Sequence, residues 1–436
     1  MSVTSTTTPG AAMPTDSSPR LPRPAPATLV HMTVGLQVVS VMILGRFGLN
    51  FGTYTLNAAL IALYVSVGAA ALCGYLALSV RRLCLYCACV GLAIASYWVN
   101  ERFAHVDRCS EGSLLLLIVT YFPYVFLWRP ASLGPNVHEA VLRQFRDVAL
   151  FCAFAGIAQF FAQFFIHAPW LFDFTPSIPS ILQVQGRWNT VIPVGSHYKS
   201  NGFFFREPSG FSFIMGLALV LEWSSPWRRL WRVTCFGLAL LLTYSGSGIL
   251  TVIIGMLFPL GPKTLLRVLG LAAAGLLILW LLGDALNLSF TVNRVQEFGS
   301  ERSSAYDRFI APARLILETY DTDSWTVWLG HGPGSITRTV MGYDFHDPTW
   351  AKLIFEYGVP ELVAFFTLFW AVLRSPQVPI RLRAILFISW SLLGGHLLAP
   401  EPNVLTPALA GWFPAASARG GNPSRRRARP SLPRRL

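Results

Sequence analysis

Two arginines and a histidine are the residues of this sequence whose types are best suited to bind an anion and to move a proton. They are Arg206, Arg308 and His346, and all three lie in polar segments next to apolar runs. A guanidinium group can hold a phosphate through two parallel hydrogen bonds. A histidine can accept a proton near neutral pH. These residue types predict an anion-binding site that carries a general base.

The first arginine stands at the predicted external end of an apolar run. The pair Arg206-Glu207 directly precedes Pro208, which suits the first turn of a helix. A charged pair at membrane depth is costly unless it is paired or used. We therefore predict that Arg206 binds an anionic ligand and that Glu207 contributes beside it. The alternative is an ion pair that only starts the helix.

The second arginine belongs to a charged segment, residues 301–308. Ser304, followed three residues later by an aspartate, fits a capping box that opens a short external helix. Arg308 and Arg314 would lie on that helix, and Pro312 would bend it. The alternative is that these side chains form a solvated helix face.

Three further positions are candidates. His331 lies in a turn of three glycines and a proline, whose backbone N–H groups could form an anion nest. His346 lies where a long external segment enters a late apolar run, so it could also be a polar residue at the membrane interface. Glu356 lies further into that run, and acids inside a membrane are functional candidates by default.

The elements that must position these residues are membrane helices. Only 13% of the 436 residues are charged and 53% are hydrophobic, whereas a soluble domain carries about 25% charged residues. Apolar runs recur along the chain, and the run from Leu56 to Val80 has no charge on any face. A soluble protein with a large core would instead need amphipathic helices. We predict an all-α polytopic membrane helix bundle with about twelve transmembrane helices.

The distribution of basic residues predicts on which side of the membrane each loop lies. Arginines and lysines flank both ends of residues 231–260, so the positive-inside rule predicts two short crossings that meet at Ser245–Gly248. Both termini are then expected in the cytoplasm. The predicted divisions are a disordered cytoplasmic tail (1–27), transmembrane helices 1–9 (28–283), a large periplasmic loop (284–349), transmembrane helices 10–12 (350–417) and a basic cytoplasmic tail (418–436).

Several other functions are disfavoured. The net charge of +13 is concentrated in loops and in the last tail, which indicates contact with the anionic inner leaflet rather than with nucleic acid. The sequence lacks a G-x-x-x-x-G-K-[ST] motif, which argues against an ATP-driven pump. Cys84, Cys87 and Cys89 have no histidine or second cysteine pair to complete a metal site. Cys109, alone in an external loop, argues against a disulfide.

The order of these motifs resembles the O-antigen ligase/polymerase (Wzy-type) family of bacterial envelope glycan assembly. Within that family the chain is most similar to exopolysaccharide polymerases of the xanthan and acetan type. The family often has Ser-Arg and His-Asn where this chain has Ser245-Gly246 and His346-Asp347, so only the histidine is retained. The matching segments are residues 205–213, 241–257, 328–335 and 346–362.

The resemblance implies an inner-membrane enzyme that polymerises oligosaccharide repeat units carried on undecaprenyl diphosphate, at the periplasmic face. Arg206 and Arg308 would bind the diphosphate, and His346 would orient or deprotonate the acceptor hydroxyl. No metal or cofactor is expected, because the diphosphate is already an activated leaving group. Expected partners are the bilayer, a flippase, and chain-length or export proteins. The remaining substrate-binding residues would be Arg302, Glu207, His331, Arg314 and Glu356.

Two other functions stay open from the sequence. A ligase would move a finished glycan from the same donor to a different acceptor, and the loop motifs do not separate it from a polymerase. A transporter or flippase of lipid-linked glycans would place charges at the membrane midplane and show two related halves. The sequence shows no such halves, and its polar residues cluster at one predicted face.

Overall fold

The computed structural model describes most of the chain between residues 25 and 414. Residue Arg302, most of both predicted tails and the region 274–303 lie outside the described residues. The described ranges are 25–51, 55–103, 109–129, 133, 136–184, 186, 188–259, scattered positions between 261 and 273, 304–320, 325–393 and 395–414.

Within those ranges the protein is mainly helical, which agrees with the predicted all-α class. Three small antiparallel two-stranded sheets accompany the helices and pair β1 with β2, β3 with β4 and β5 with β6. The strands are β1 (Gly48–Asn50), β2 (Thr55–Asn57), β3 (Leu76–Leu78), β4 (Phe126–Trp128), β5 (Pro193–Val194) and β6 (His197–Tyr198). The helices are α1 (Pro26–Met42), α2 (Ala58–Leu72), α3 (Val80–Phe103), α4 (Glu111–Tyr121), α5 (Val137–Ala162), α6 (Pro208–Ser224), α7 (Leu230–Leu241), α8 (Gly246–Leu257), α9 (Ser304–Phe309), α10 (Ala311–Thr319), α11 (Thr326–Leu329), α12 (Thr349–Tyr357), α13 (Val359–Leu373), α14 (Ile380–Leu392) and α15 (Pro400–Thr406).

Two of the described helices, α3 and α5, are long and apolar enough to cross a membrane, judged by length and composition alone. Shorter apolar helices of 10–17 residues, among them α1, α2, α7, α8 and α13, accompany them. Many large apolar side chains on these helices are exposed, such as Leu72 and Phe161. The number of twelve crossings stays a prediction.

Helices α6 and α8 cross at a short distance, and the first turns of both reach the candidate active site. A Cβ atom on Gly216 would lie 2.6 Å from the carbonyl oxygen of Gly248, and one on Gly248 would lie 2.3 Å from that of Ser212. Only glycine allows backbones to approach this closely. The predicted pair of short legs is present here as α7 and α8, which meet at residues 242–245.

The late apolar run predicted at residues 353–373 does not form one helix. It is divided into α12 and α13 at Gly358, which has a φ of 89°. A Cβ atom there would lie 2.4 Å from the carbonyl oxygen of Trp328, so the backbone of α11 packs directly on the backbone at Gly358. Pro360 follows in the first turn of α13 and cannot continue the preceding hydrogen-bond ladder.

The structure agrees in outline with the short helix predicted around Arg308. A short helix, α9, begins at Ser304 and carries Arg308, and α10 follows after Ile310 with Pro312 in its first turn. The helix is thus interrupted at Ile310, two residues before the proline at which a bend was expected. Leu315 on α10 forms a small separate core with Ile336 and Phe355.

Candidate active site

A cavity of about 470 Å³ collects the residues predicted to do chemistry. It lies between the turn after α1, the first turns of α6 and α8, helix α9, and the segment from Leu393 to Leu405. Arg206, Arg308 and His346 all line it. Its volume falls within the range of about 300–1,000 Å³ typical of small-molecule sites. The structure thus brings together three residues that lie up to 140 positions apart in the sequence.

Three different contacts orient the side chain of Arg206. Its Nε donates to the carbonyl oxygen of Gly45 at 2.7 Å, and its Nη2 forms an ion pair with Glu401. The guanidinium also lies over the ring of Trp188, with its Cζ 4.4 Å from the ring centroid. The side chain is 11% exposed, so this charge faces the cavity from a nearly desolvated position.

Arg46 fixes the segment that carries Arg206. It is 1% exposed and donates to the carbonyl oxygen of Phe205 at 2.6 Å. The same guanidinium pairs with Asp173 at 2.5 Å. Because burial lowers the pKa of Arg46 only to about 10, it stays charged at neutral pH and ties the turn after α1 to the loop before α6.

Glu207, predicted to contribute to substrate binding, also lines the cavity. Its carboxylate accepts a hydrogen bond from the backbone N–H of Asn189 at 3.2 Å and another from the Ser209 hydroxyl at 2.9 Å. Both of its oxygens therefore have partners at the start of α6. This arrangement positions the loop and the helix beside Arg206.

His346 is attached directly to the helix that carries Arg308. Its backbone N–H donates to the carbonyl oxygen of Asp307 at 2.8 Å. Burial lowers the pKa of the imidazole below its ordinary value of 6.5, and the charge of Arg308 lowers it further. Asp347, Asp307 and Glu207 act in the opposite direction without reversing the shift. The ring is therefore neutral at pH 7, which is the form a general base requires.

The neighbouring Asp347 is held by Lys352. The Lys352 ammonium lies 2.9 Å from an Asp347 oxygen and 3.3 Å from a Glu356 oxygen. The backbone N–H of Gly395 donates to the carbonyl oxygen of Asp347 at 3.1 Å. Glu356, predicted to bind substrate, is fully buried and does not line the cavity. It instead balances the charge of Lys352 beneath the cavity wall.

Two other predicted substrate-binding residues lie away from this cavity. The His331 ring stacks on Phe355, with centroids 4.5 Å apart. The backbone N–H of His331 donates to the Phe355 carbonyl and that of Gly332 to the Glu356 carbonyl, so neither group is free to bind an anion. Arg314 lies on α10 and pairs with Glu318 at 2.6 Å. The prediction for Arg302 falls on a residue outside the described ranges.

Three residues of this cavity have no role that was predicted from the sequence. Glu401 and Trp188 hold Arg206, and His396 lines the wall with no hydrogen-bond partner for its Nδ1 among the described residues. Glu401 and His396 could be noticed as polar residues near the end of an apolar run. Trp188 gives no such signal, because its role depends on an arginine 18 positions later. Among the described residues, no group of three or more His, Cys, Asp or Glu side chains is placed to hold a metal ion.

The fold and the cavity together define a helix-rich protein with many exposed apolar side chains and a cavity lined by two arginines and a histidine. The sequence model of the family described as WcaD colanic acid polymerase matches residues 28–383. This match covers well over half of the chain, and the protein belongs to that family. It is a polysaccharide polymerase of exopolysaccharide synthesis, which confirms the resemblance drawn from the motifs. No curated protein matches the chain.

Proposed function

We propose that this protein polymerises oligosaccharide repeat units carried on undecaprenyl diphosphate, at the periplasmic face of the bacterial inner membrane. Family membership supports the polymerisation of repeat units. The lipid diphosphate is supported by one observation above all: two guanidinium groups and a histidine line a single cavity. The apolar helices α3 and α5 support a membrane location.

The reaction that fits this cavity is a substitution at the anomeric carbon of the donor sugar. The oxygen of an acceptor hydroxyl forms a bond to that carbon, and the bond from the carbon to the diphosphate oxygen breaks. The electron pair leaves with the undecaprenyl diphosphate, and the hydroxyl proton passes to the neutral imidazole of His346. Arg206 and Arg308 stabilise the charge that develops on the leaving group, each contributing on the order of 2–4 kcal/mol.

Glu401 gives the cavity a counterion that a diphosphate can replace. Its carboxylate pairs with Arg206, while the partners of Glu207 and Asp347 are other groups. A diphosphate that binds Arg206 would therefore exchange one anion for another. This exchange avoids leaving a nearly buried guanidinium without a partner, which is strongly unfavourable.

The proposal predicts that Arg206→Gln abolishes polymer formation. Removal of one charged donor at a developing negative charge lowers the rate by about 10²–10³-fold. The measurement is the size distribution of products formed by purified protein in nanodiscs from lipid-linked repeat units. Arg228→Gln is the matched control, because Arg228 is exposed and does not line the cavity. Equal product ladders from Arg206→Gln and from the control would refute the proposal.

A further inference from the structure

A second cavity of about 400 Å³ adjoins the first and is formed by the segment from Ile336 to Asp347. His346 and Asp347 line both cavities. A group transfer needs two substrates to meet at one reacting centre, each approaching from its own side. The shared residues make His346 the place where contents of the two cavities can meet.

The walls of the second cavity differ from those of the first in charge. Among the described residues that line it, none is lysine or arginine, so it offers no guanidinium or ammonium group to a diphosphate. It presents instead the hydroxyl oxygens of Thr337 and Thr339, the ring of Tyr343 and the carboxylate of Asp344. Carboxylate and hydroxyl oxygens accept hydrogen bonds from sugar hydroxyls, and an aromatic ring can cover the apolar face of a pyranose.

This wall is held in place before any ligand binds. Ile336 packs with Leu315 and Phe355, and Met341 and Phe345 pack against that core. A wall fixed in advance lowers the entropic cost of ordering loops on binding. The loop from Ile336 to Asp347 is therefore a preformed surface.

Arg314 contributes to the same wall without lining it. Its guanidinium lies over the Tyr343 ring, with the Cζ 4.5 Å from the ring centroid. Glu318 accepts hydrogen bonds from both Arg314 and the Tyr343 hydroxyl, at 2.6 and 2.9 Å. Arg314, expected to bind substrate, thus orients a residue of the second cavity.

We propose that the second cavity binds the acceptor glycan, the end of the repeat unit whose hydroxyl attacks the donor. This inference rests on the proposed function. The acceptor oxygen gains the bond to the anomeric carbon at the boundary of the two cavities, its proton passes to His346, and the diphosphate departs on the side of Arg206. Asp344 and Tyr343 position the sugar that carries the attacking hydroxyl.

The test separates acceptor binding from donor binding. Full-length protein in nanodiscs is titrated with lipid-free repeat-unit oligosaccharide, and binding is read by saturation-transfer NMR. The same oligosaccharide then serves as the varied acceptor in a reaction with a fixed amount of lipid-linked donor. Asp344→Ala and Thr337→Trp are expected to raise the acceptor Kd and KM by about tenfold or more, since each loses or blocks hydrogen bonds to the sugar. The donor KM should change less than twofold.

Leu317→Trp is the matched control, because Leu317 is exposed on α10 and lines neither cavity. Unchanged acceptor Kd and KM in both variants, with Arg206→Gln still inactive, would overturn the acceptor site and leave the proposed function standing. A wild-type protein that binds no lipid-free oligosaccharide would also overturn it. Failure of the wild-type protein to polymerise lipid-linked units would remove the proposed function itself.

Discussion

The protonation state of one imidazole governs the proposed chemistry. His346 is half-buried beside Arg308, and both burial and this guanidinium lower its pKa. A general base acts in its neutral form, so the rate must fall as the pH drops through this pKa. We therefore expect a plateau of kcat/KM at pH 7 and an acid limb that lies below pH 6.5, the ordinary pKa of the group.

Arg308→Gln tests this coupling. The substitution removes one of the two causes that lower the pKa of His346, so the acid limb should move to higher pH even though the overall rate also falls. Arg308→Lys keeps the charge and should keep the limb close to its original position. The measurement is kcat/KM between about pH 5 and 8. An acid limb at the same pH in all three proteins would contradict the role of His346 as the base.

At the residue scale, the sequence identifies groups by type but not by partner. Arg206, Arg308 and His346 could be predicted because basic residues on the predicted external side of a membrane protein need a local reason. The partner of Arg206 could not, since Glu401 lies 195 positions away. The ion pair of Glu356, in contrast, is of a kind that sequence spacing indicates, because Lys352 lies one helical turn earlier.

At the element scale, the crossing of α6 and α8 supports the cavity floor. Ser209 at the start of α6 and Ser247 at the start of α8 both line the cavity, and the Ser247 hydroxyl donates to the Ser209 carbonyl at 2.8 Å. This contact requires the close approach that Gly248 permits. The geometry of the cavity therefore depends on a glycine that does not touch substrate.

Gly248→Ala should destabilise the protein by about 1–3 kcal/mol, since the added Cβ would lie 2.3 Å from Ser212 atoms and 2.4 Å from Leu240. Gly237→Ala on α7 is the matched control, because no atom lies within 4 Å of its added Cβ. In a helix that change should be neutral or slightly stabilising. Apparent Tm in detergent is the measurement. A Gly248→Ala protein as stable as the control would show that the helices can separate at no cost.

The elements themselves were predictable to different degrees. The short legs α7 and α8 followed from basic residues at both flanks of a single apolar stretch. The division at Gly358 did not, because hydropathy is continuous there and the cause is the close approach of the α11 backbone at Trp328. Helix α5 begins at Val137, eleven residues before the apolar run that the sequence shows from residue 148. The charged residues of that extension, such as Arg146, are paired within the fold.

At the scale of the whole molecule, Arg82 joins distant parts of the chain. It is 5% exposed and donates to the carbonyl oxygens of Gly411 at 2.6 Å and Val372 at 3.1 Å. Longer hydrogen bonds reach the carbonyls of Tyr124 and Phe126. These carbonyls lie at or just beyond the C-terminal ends of helical segments, where a cation satisfies unpaired acceptors.

Arg82→Gln should lower the stability of the entire bundle by about 2–4 kcal/mol, because it leaves buried carbonyl groups without donors. Arg81→Gln is the matched control, since the adjacent Arg81 is exposed. Thermal unfolding of the two variants in the same detergent gives the comparison. Similar Tm values for both would mean that Arg82 is not a structural link. The two arginines are adjacent in the sequence, and only the fold distinguishes them.

The central claim is that the cavity around Arg206 binds a lipid-linked diphosphate donor. The most direct measurement is photocrosslinking with a repeat unit on a diazirine-labelled undecaprenyl diphosphate, followed by peptide mass spectrometry. We predict adducts within residues 205–214 and 393–405, which line the cavity just before and within α6 and α15, and loss of those adducts in Arg206→Gln. Adducts confined to other segments, or undiminished in that variant, would contradict the account.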